Sequence, residues 1–334
     1  HPDPTVDRRS GFLIPSGYDN SNLGFGVNIP YYFDLGKDKD FTFTPRFYAN
    51  ENPLFNSEYR QNFRNSDLTL FFGFTDGYKN NSNKKLPGSK KYLFSKFLKE
   101  IKKTDTEKSN LEINIQQTNS DNFIKAFGVD TPLVNREDNI LESSLKFDYS
   151  NQDTFFGLNM AAFENQSLEN NKKFEYLIPY ITYDKNLQVA EKYGLLDFSS
   201  NLRIRNYDVN KQSNLLVNDI NWQSKRLENE IGLDSKFLAS LKNINSKTNN
   251  VENFKDETTT ELSSAFGYLA KMNFFKVNNK LKNSQYLTPK ILFKYSPHNM
   301  RKIDSGRLRY SNLFNLKKFN EFDEIESGTN LSIG

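Results

Sequence analysis

The chain has 334 residues, of which 36% are hydrophobic, 26% charged and 14% aromatic, and its formal net charge is +4. It has no cysteine, which excludes disulfides, thiolate metal sites and a thiol nucleophile. No apolar run reaches about 18 residues, which excludes a transmembrane helix. The mean hydropathy of −0.74 still permits membrane-crossing strands, because such a strand presents only every second side chain to lipid.

The two ends of the chain predict a fragment. The N-terminus, HPDPTVDRR, has neither an initiator Met nor an apolar signal region, and the C-terminus stops within an alternating pattern. We therefore expect an internal piece of a longer exported protein. Residues 1–20 are rich in Pro and Gly and are predicted to form a loop-like segment that leads into the barrel domain described below.

The first predicted strand is the clearest. Its apolar residues alternate with polar or small ones, and they are Leu23, Phe25, Val27, Ile29, Tyr31, Phe33 and Leu35. A period of two over this length is typical of a β-strand and not of a helix. The length also suits a tilted membrane strand, which needs about 9–11 residues. The next segment repeats the pattern, with Phe41, Phe43, Pro45, Phe47 and Ala49 on one face.

The same alternation, with turn signals between the segments, predicts about sixteen strands. They are placed near 23–35, 41–49, 54–64, 67–76, 90–101, 109–118, 140–150, 153–163, 174–184, 194–207, 213–223, 225–239, 260–275, 284–296, 306–317 and 326–334. Solvated loops are predicted at 77–89, 119–139, 164–173, 185–193, 240–259, 276–283 and 297–305. The segment 92–103 also has helical spacing, but its neighbours favour a strand.

These elements predict an all-β fold. We expect an antiparallel transmembrane β-barrel, present in residues 21–334 as an incomplete barrel of about sixteen strands. Because the chain looks cut at both ends, these strands are not expected to close a barrel by themselves. We therefore expect an open sheet whose first strand lacks a partner.

Signals for an enzyme are weak. The two histidines, His1 and His298, are far apart and have no second ligand at zinc spacing. Neither a G-x-S-x-G elbow nor a complete dinucleotide fingerprint is present. We predict no catalytic residue, no metal and no cofactor, and we predict no binding to nucleic acid. Basic pairs such as Lys102-Lys103 leave two interpretations open, namely solvated charge or contact with anionic lipid or phosphorylated glycolipid.

The prolines are more informative. Pro30, Pro45, Pro179 and Pro289 lie inside otherwise strong strand patterns. Because proline cannot donate a hydrogen bond to the ladder, it is confined to edges, strand starts or bulges. Pro30 and Pro45 fall in the first two predicted strands. Two interpretations stay open: a locally tolerated bulge, or a weakened seam through which a barrel opens sideways and releases lipid into the bilayer.

Several stretches, taken in order, resemble one family. HPDPTVDRRSGFLIPS, LGFGVNIPYYFDL, DFTFTPRFY and NPLFNSEYR resemble the start of the barrel in the LPS-assembly outer-membrane protein LptD family. FEYLIPYITYD and YLTPKILFKYSP are similar to its internal proline-containing strands, and NLFNLKKFNEFDEIESGTNLSIG is similar to a later stretch of that barrel. The matches extend from the first residue to the last, with weakly matching loops between them.

The resemblance implies a location, a function and partners. It implies a barrel of about 26 strands in the bacterial outer membrane, preceded by a periplasmic jelly-roll and plugged by an LptE-like lipoprotein. It implies that lipopolysaccharide arrives through an LptA-like bridge and the jelly-roll and leaves between the first and last strands, among outer-membrane lipids. Pro30 and Pro45 match the family's two lateral-gate prolines. The disulfides of many family members have no counterpart here.

Two other interpretations are kept. Another outer-membrane barrel, such as a porin or receptor without a role in lipopolysaccharide export, would share the alternation but not the ordered matches. A soluble all-β carbohydrate-binding or hydrolytic protein would have to bury its aromatic strand faces. A jelly-roll upstream of the chain would favour export, and solubility without detergent would favour the soluble protein.

Overall fold

The structure is a computed structural model that describes residues 8–20, 23–79, 85–187, 189–252, 254–278, 283–297, 312–316 and 325–334. These ranges contain twenty-one strands, one short α-helix and two single 3-10 turns. The first nine strands are β1 Gly11–Phe12, β2 Ser16–Asn20, β3 Gly24–Asn28, β4 Tyr31–Asp34, β5 Lys39–Tyr48, β6 Leu54–Phe63, β7 Ser66–Lys79, β8 Lys85–Lys103 and β9 Glu107–Thr118.

The helix and the remaining strands follow. The helix α1 spans Phe123–Phe127, and the 3-10 turns span Asn170–Lys173 and Glu191–Tyr193. The strands are β10 Ile140–Asn151, β11 Thr154–Asn165, β12 Phe174–Leu187, β13 Leu195–Tyr207, β14 Lys211–Gln223, β15 Leu227–Glu228, β16 Leu233–Asn249, β17 Thr259–Met272, β18 Phe274–Asn278, β19 Asn283–Leu287, β20 Lys290–Ser296 and β21 Gly328–Ile333.

Nineteen of the strands in the described ranges belong to a single sheet, while β18 and β19 pair with each other as a separate hairpin. The predicted all-β, antiparallel architecture is confirmed. Its physical basis is the alternation read from the sequence, since side chains of successive strand residues point to opposite faces.

Within the part of the chain that the structure describes, no helix combines the length and the apolarity needed to cross a bilayer.

The chain divides into two compact units. The first consists of the described residues of His1–Tyr149, Leu158–Ile178 and Tyr207–Val209. Strands β5 to β9 follow one another as antiparallel neighbours in this unit. One face of these strands exposes aromatic rings and is called the aromatic face; Phe47, Phe72 and Phe74 belong to it.

The opposite face of the first unit is covered by the segment 119–135, which we call the strap. The face under it is called the strap face. It carries Arg46 on β5 and, in register with it, Leu54 on β6. Phe71 on β7 and Phe94 on β8 lie in register on the same face. Leu54 and Phe94 are 0% exposed, so the strap excludes solvent from the strands beneath it.

The second unit consists of the described residues of Ser150–Gly157, Pro179–Asn206 and Asn210–Gly334. Strand β16 pairs without interruption with β14 on one side and β17 on the other, and β20 and β21 continue the sheet. One face exposes apolar side chains, which include Phe237, Phe266 and Phe293. The other face buries small polar and charged side chains, and Leu316 and Ile325 pack on it against Ala265.

The N-terminal strands differ from the prediction in two ways. The strand expected at 23–35 is divided, because Ile29 and Pro30 separate β3 from β4. The expectation that this strand lacks a partner is wrong, since β1 pairs with β4 and β2 pairs with β3. Part of the segment predicted as a loop therefore adds an edge to the sheet. The domain boundary after residue 20 stays a prediction.

The middle of the chain confirms one strand and corrects one loop. The strand favoured at 92–103 is confirmed, because β8 spans Lys85–Lys103. The predicted loop at 119–139 instead contains α1, whose residues Phe123, Ile124 and Phe127 are buried. The loop is therefore not simply solvated.

The C-terminal third shows boundary errors. A turn at 229–232 divides the strand predicted at 225–239, and Gly232 adopts a φ of 78° there. Strand β16 then continues to Asn249 through the first half of the loop predicted at 240–259. Pro289 lies between β19 and β20 and divides the strand predicted at 284–296. Of the strand predicted at 306–317, residues 312–316 form turns, and the rest lies outside the described residues.

Candidate functional site

The prolines of the first two predicted strands, Pro30 and Pro45, lie side by side in the structure. Pro30 is between β3 and β4, and Pro45 is inside β5. The backbone N–H of Ile29 donates to the carbonyl of Pro45 at 3.1 Å, and the N–H of Leu13 donates to the carbonyl of Pro30 at 2.9 Å. The segments around Leu13, Pro30 and Pro45 are thus neighbours across the sheet edge.

Each proline removes a hydrogen bond from a different ladder. The N–H and C=O of one strand residue point toward the same neighbouring strand in an antiparallel pair. Pro30 therefore lacks a donor on the side of Leu13, and Pro45 lacks a donor on the side of Ile29. Regular pairing is also interrupted at 13–15 and at 29–30. These interruptions form what we call the proline line.

Arg46, the residue after Pro45, connects the strands on the strap face. Its Nε donates to Oδ1 of Asn28 at 2.6 Å. The Nδ2 of Asn28 donates in turn to Oγ of Ser16 at 2.9 Å. The guanidinium carbon of Arg46 lies 5.0 Å from the centre of the Tyr18 ring, which is within the range of a cation–π contact. One side chain therefore links β5, β3 and β2 beside the proline line.

Arg46 also holds the strap. Its Nη1 donates to the carbonyl oxygens of Phe127 at 2.7 Å and Gly128 at 3.3 Å. The hydroxyl of Tyr48 donates to the Phe127 carbonyl at 3.5 Å. A guanidinium suits this position, because the last carbonyls of a helix lack intrahelical donors and carry partial negative charge.

Gly128 allows this close approach. It ends α1 in the left-handed conformation, with a φ of 57°. A Cβ at this position would lie 2.9 Å from the Tyr18 hydroxyl oxygen. A side chain is thus disfavoured both by backbone strain and by space.

Apolar contacts fix the rest of the strap. The Phe123 ring lies 6.0 Å from that of Tyr92, and the Phe127 ring lies 5.8 Å from that of Tyr48. The buried cluster joins strand residues and strap residues, and it comprises Leu23, Leu54, Phe71, Tyr92, Phe94, Phe123, Ile124, Phe127, Val129, Val134 and Leu141. On the sheet side, the amide nitrogen of Gln116 donates to the Leu133 carbonyl at 3.0 Å.

A salt bridge fixes the beginning of the strap. Lys173 lies 2.9 Å from Glu164 and 3.1 Å from Asp121. The hydrogen bond with Glu164 raises the pKa of Lys173, so the ammonium stays charged at physiological pH.

A second charged group lies on the strap face but does not touch the strap. Asp40 is 6% exposed and accepts two hydrogen bonds from Arg60, at 2.9 and 3.2 Å. Glu58 lies 3.5 Å from Arg60. This pair provides a comparison for Arg46, because both arginines are on neighbouring strands and the same face.

The second unit buries charge. Lys242 is 0% exposed and its Nζ lies 2.8 Å from Asp219. Lys294 is 1% exposed and its Nζ lies 3.4 Å from Glu326. Such burial is tolerated only where the charges are paired.

The structure offers no metal centre among the residues it describes. His1 and His298 lie outside the described residues. Of the basic pairs, Lys102 contacts Glu107, and Lys103 lies 2.9 Å from Glu100. Both lysines therefore have carboxylate partners within the chain, and the choice between solvated charge and contact with anionic lipid stays open.

Sequence reasoning found the prolines but missed Arg46 and the strap. In the sequence, Arg46 is one of several polar residues on the polar face of its strand. Its partners on the strap are 81 and 82 residues away, so no local pattern points to them. The available signal was FIKAFG at 123–128, where apolar residues at helical spacing precede a glycine.

Comparisons with known proteins support one family. A family model described as "LPS transport system D" (LptD) matches residues 97–334. The LPS-assembly protein LptD of Nitrosococcus oceani is 43% identical over 53 residues, which are 16% of this chain and 7% of that protein. The protein of the same name from Shewanella oneidensis is 23% identical over 349 aligned positions, which cover 99% of this chain and 44% of that protein.

The chain is thus shorter than these relatives, since even the alignment over nearly its whole length spans less than half of the Shewanella protein. Among solved structures, a bacterial polysaccharide outer membrane secretin aligns over 96% of this chain and 92% of its own, with 8% identity and a TM-score of 0.28. That similarity is too low to inform the fold. The match of the family model over most of the chain decides the assignment. The chain belongs to the LptD family, and its antiparallel sheet is a fragment of a bacterial outer-membrane β-barrel.

Proposed function

We propose that this chain is the barrel portion of a protein that delivers lipopolysaccharide to the outer leaflet of the outer membrane through a lateral opening. The opening would form at the N-terminal edge of the sheet. The observation that carries this proposal is the proline line, which removes donors from two adjacent ladders at the same level. The family match and the names of the relatives supply the substrate.

The physical argument concerns the cost of opening an edge. In lipid, a backbone group that loses its partner has no water to replace it. Each ladder hydrogen bond contributes about 0.5–1.5 kcal/mol net even in water. A proline has no donor to lose, so parting the strands at Pro30 and Pro45 leaves fewer unsatisfied groups than elsewhere in the sheet.

The two faces of these strands suit an amphipathic substrate. Phe47 on the aromatic face is 48% exposed, and Phe25, on the same side of β3, is 59% exposed. An apolar outward band is typical of membrane strands. The strap face carries hydroxyls and charges such as Thr44 and Arg60. An opening between the strands would let sugars and phosphates stay on the polar face while acyl chains enter the bilayer.

The remaining parts of the proposal rest on family membership. We infer a transport role without catalysis or cofactor, with the driving energy supplied by other components. An LptE-like lipoprotein inside the barrel and an LptA-like periplasmic bridge would be the partners. Both are inferred from the LptD family match.

The test replaces both prolines in the full-length protein. Pro30→Ala with Pro45→Ala restores a donor to each ladder, so the closed edge becomes more stable and we expect less lipopolysaccharide at the cell surface and slower growth. Pro179→Ala, inside β12 and remote in sequence from the line, is the matched control and is expected to have no such effect. Normal surface lipopolysaccharide in the double variant, at normal protein level, would contradict the lateral opening.

A further inference from the structure

The proline line poses a question of stability, because the weakened edge is nevertheless closed in this structure. The ladders at the edge are short, and β1 pairs with β4 at only Gly11 and Phe12. Side-chain contacts must therefore supply part of the stabilisation that the missing backbone hydrogen bonds do not give. Arg46 is placed to do so, since it contacts Asn28 on β3 and Tyr18 on β2.

The strap is the other partner of Arg46. Both carbonyls that Arg46 binds, those of Phe127 and Gly128, belong to the end of α1. The strap has its own anchors away from the edge, namely the buried Phe123 and the Lys173–Asp121 ion pair. The guanidinium thus ties the weak edge to a part of the molecule that is held independently.

We propose that Arg46 is the positioning residue of the lateral gate and that the strap is its latch. With the strap docked, Arg46 is held across β2, β3 and β5, and the edge stays closed. When the strap carbonyls leave, Arg46 loses two charge-assisted hydrogen bonds and the edge depends on its incomplete ladders alone. This inference rests on the proposed lateral opening and adds to it the element that controls opening.

Charge supports the choice of arginine. A guanidinium presents several donors in a fixed plane, so it binds an amide oxygen on one strand and two carbonyls on the strap at once. A lysine offers a single point of charge and cannot reproduce that geometry. Arg60 lies on the same face of the neighbouring strand, at the other end of the β5–β6 ladder, and its two bonds go to Asp40.

The first experiment measures docking of the strap directly. Val129, which is 4% exposed, is replaced by cysteine in the full-length protein. The rate of maleimide labelling at that peptide is followed by mass spectrometry in isolated outer membranes. We expect Arg46→Gln to accelerate labelling about tenfold or more, as the loss of hydrogen bonds to a charged group implies.

Matched variants separate this effect from general damage. Arg60→Gln removes an arginine from the same face and is expected to leave labelling within about twofold of the parent. Arg46→Lys is expected to fall between the parent and Arg46→Gln, and it keeps the test usable if the glutamine variant does not fold. Equal labelling in all three variants would overturn the role of Arg46 in holding the strap.

The second experiment connects the latch to transport. Arg46→Gln is added to the Pro30→Ala, Pro45→Ala variant, and surface lipopolysaccharide is measured. We expect partial recovery, because loss of the latch opposes the added ladder bonds. Faster labelling without any recovery would overturn the latch while leaving the lateral opening intact. A double proline variant that exports normally would overturn the lateral opening itself, and with it the latch.

Discussion

The two units bury one face of their strands in different ways. In the first unit, the strap covers the face with an apolar cluster that includes Phe94 and Phe123. In the second, the buried face mixes small polar residues and the Lys242–Asp219 pair with buried apolar residues such as Val217 and Ile244. The ladders differ as well, since β16 and β17 pair without a break while β3 and β4 are divided.

The difference shows two ways of holding strands together. A long uninterrupted ladder satisfies its backbone groups cooperatively and tolerates a polar, ion-paired face. A short, interrupted ladder needs side chains from elsewhere, and apolar packing plus Arg46 provides them. We therefore expect substitutions in the ladders of the second unit to lower the free energy of unfolding. Substitutions in the strap should have local effects.

The largest effect is expected from Lys242→Met. The substitution removes the positive charge that lies 2.8 Å from the buried Asp219 carboxylate, and breaking a buried ion pair in this way costs about 3–5 kcal/mol. We expect the free energy of unfolding of the full-length protein, measured by urea titration in lipid micelles, to fall by that amount.

The paired replacement Lys242→Met with Asp219→Leu is the control, and it should recover most of the loss, because two apolar side chains need no compensation. A single variant as stable as the parent would show that the ion pair is not what the second unit depends on. The contrast between the units would then be wrong.

A smaller effect on global unfolding is expected from Phe123→Ala. Replacing a buried Phe by Ala lowers the free energy of unfolding by about 3–5 kcal/mol when the ring belongs to the global core. Here the strap can detach without parting any ladder, so the loss should appear as faster proteolysis within 119–135 while the unfolding midpoint changes little.

Phe72→Ala, on the aromatic face of β7, is the matched control and should leave cleavage of the strap unchanged. If Phe123→Ala lowered the unfolding midpoint as much as Lys242→Met does, the strap would be part of the global core and not a separable element.

The smallest effect distinguishes two glycines with positive φ. Gly128→Ala meets backbone strain of about 1–2 kcal/mol and also the Tyr18 hydroxyl at 2.9 Å. Gly232→Ala, at a φ of 78° in the turn before β16, meets the strain but no atom within 4 Å. Only Gly128→Ala should increase proteolysis of the strap. Equal effects of the two substitutions on strap cleavage would argue against the docking at Tyr18.

Much of the fold follows from the sequence because alternation is a local property. The opposite faces of β5, with Phe41 and Phe43 on one side and Thr42 and Thr44 on the other, can be read from consecutive letters. The break at Pro30 is equally local, since a missing donor is a property of the residue itself.

The strap and Arg46 could not be predicted in the same way. The helix α1 has five residues, too few for a periodic pattern to stand out from a polar loop. The importance of Arg46 depends on carbonyls that only folding brings to it. The turn before β16 was missed because Ile231 continued the apolar pattern across a position where Gly232 permits reversal.

The proline line also has a mechanical consequence. When a continuous ladder separates from one end, its hydrogen-bonded pairs break one after another along its whole length. A transverse row of missing bonds interrupts that propagation. If the edge opens as proposed, we expect β1 and β4 to separate from β5 and the separation to stop at Pro30, while β2 and β3 keep their register. The proposed opening would then have a partly open state of defined length between the closed and the fully separated edge.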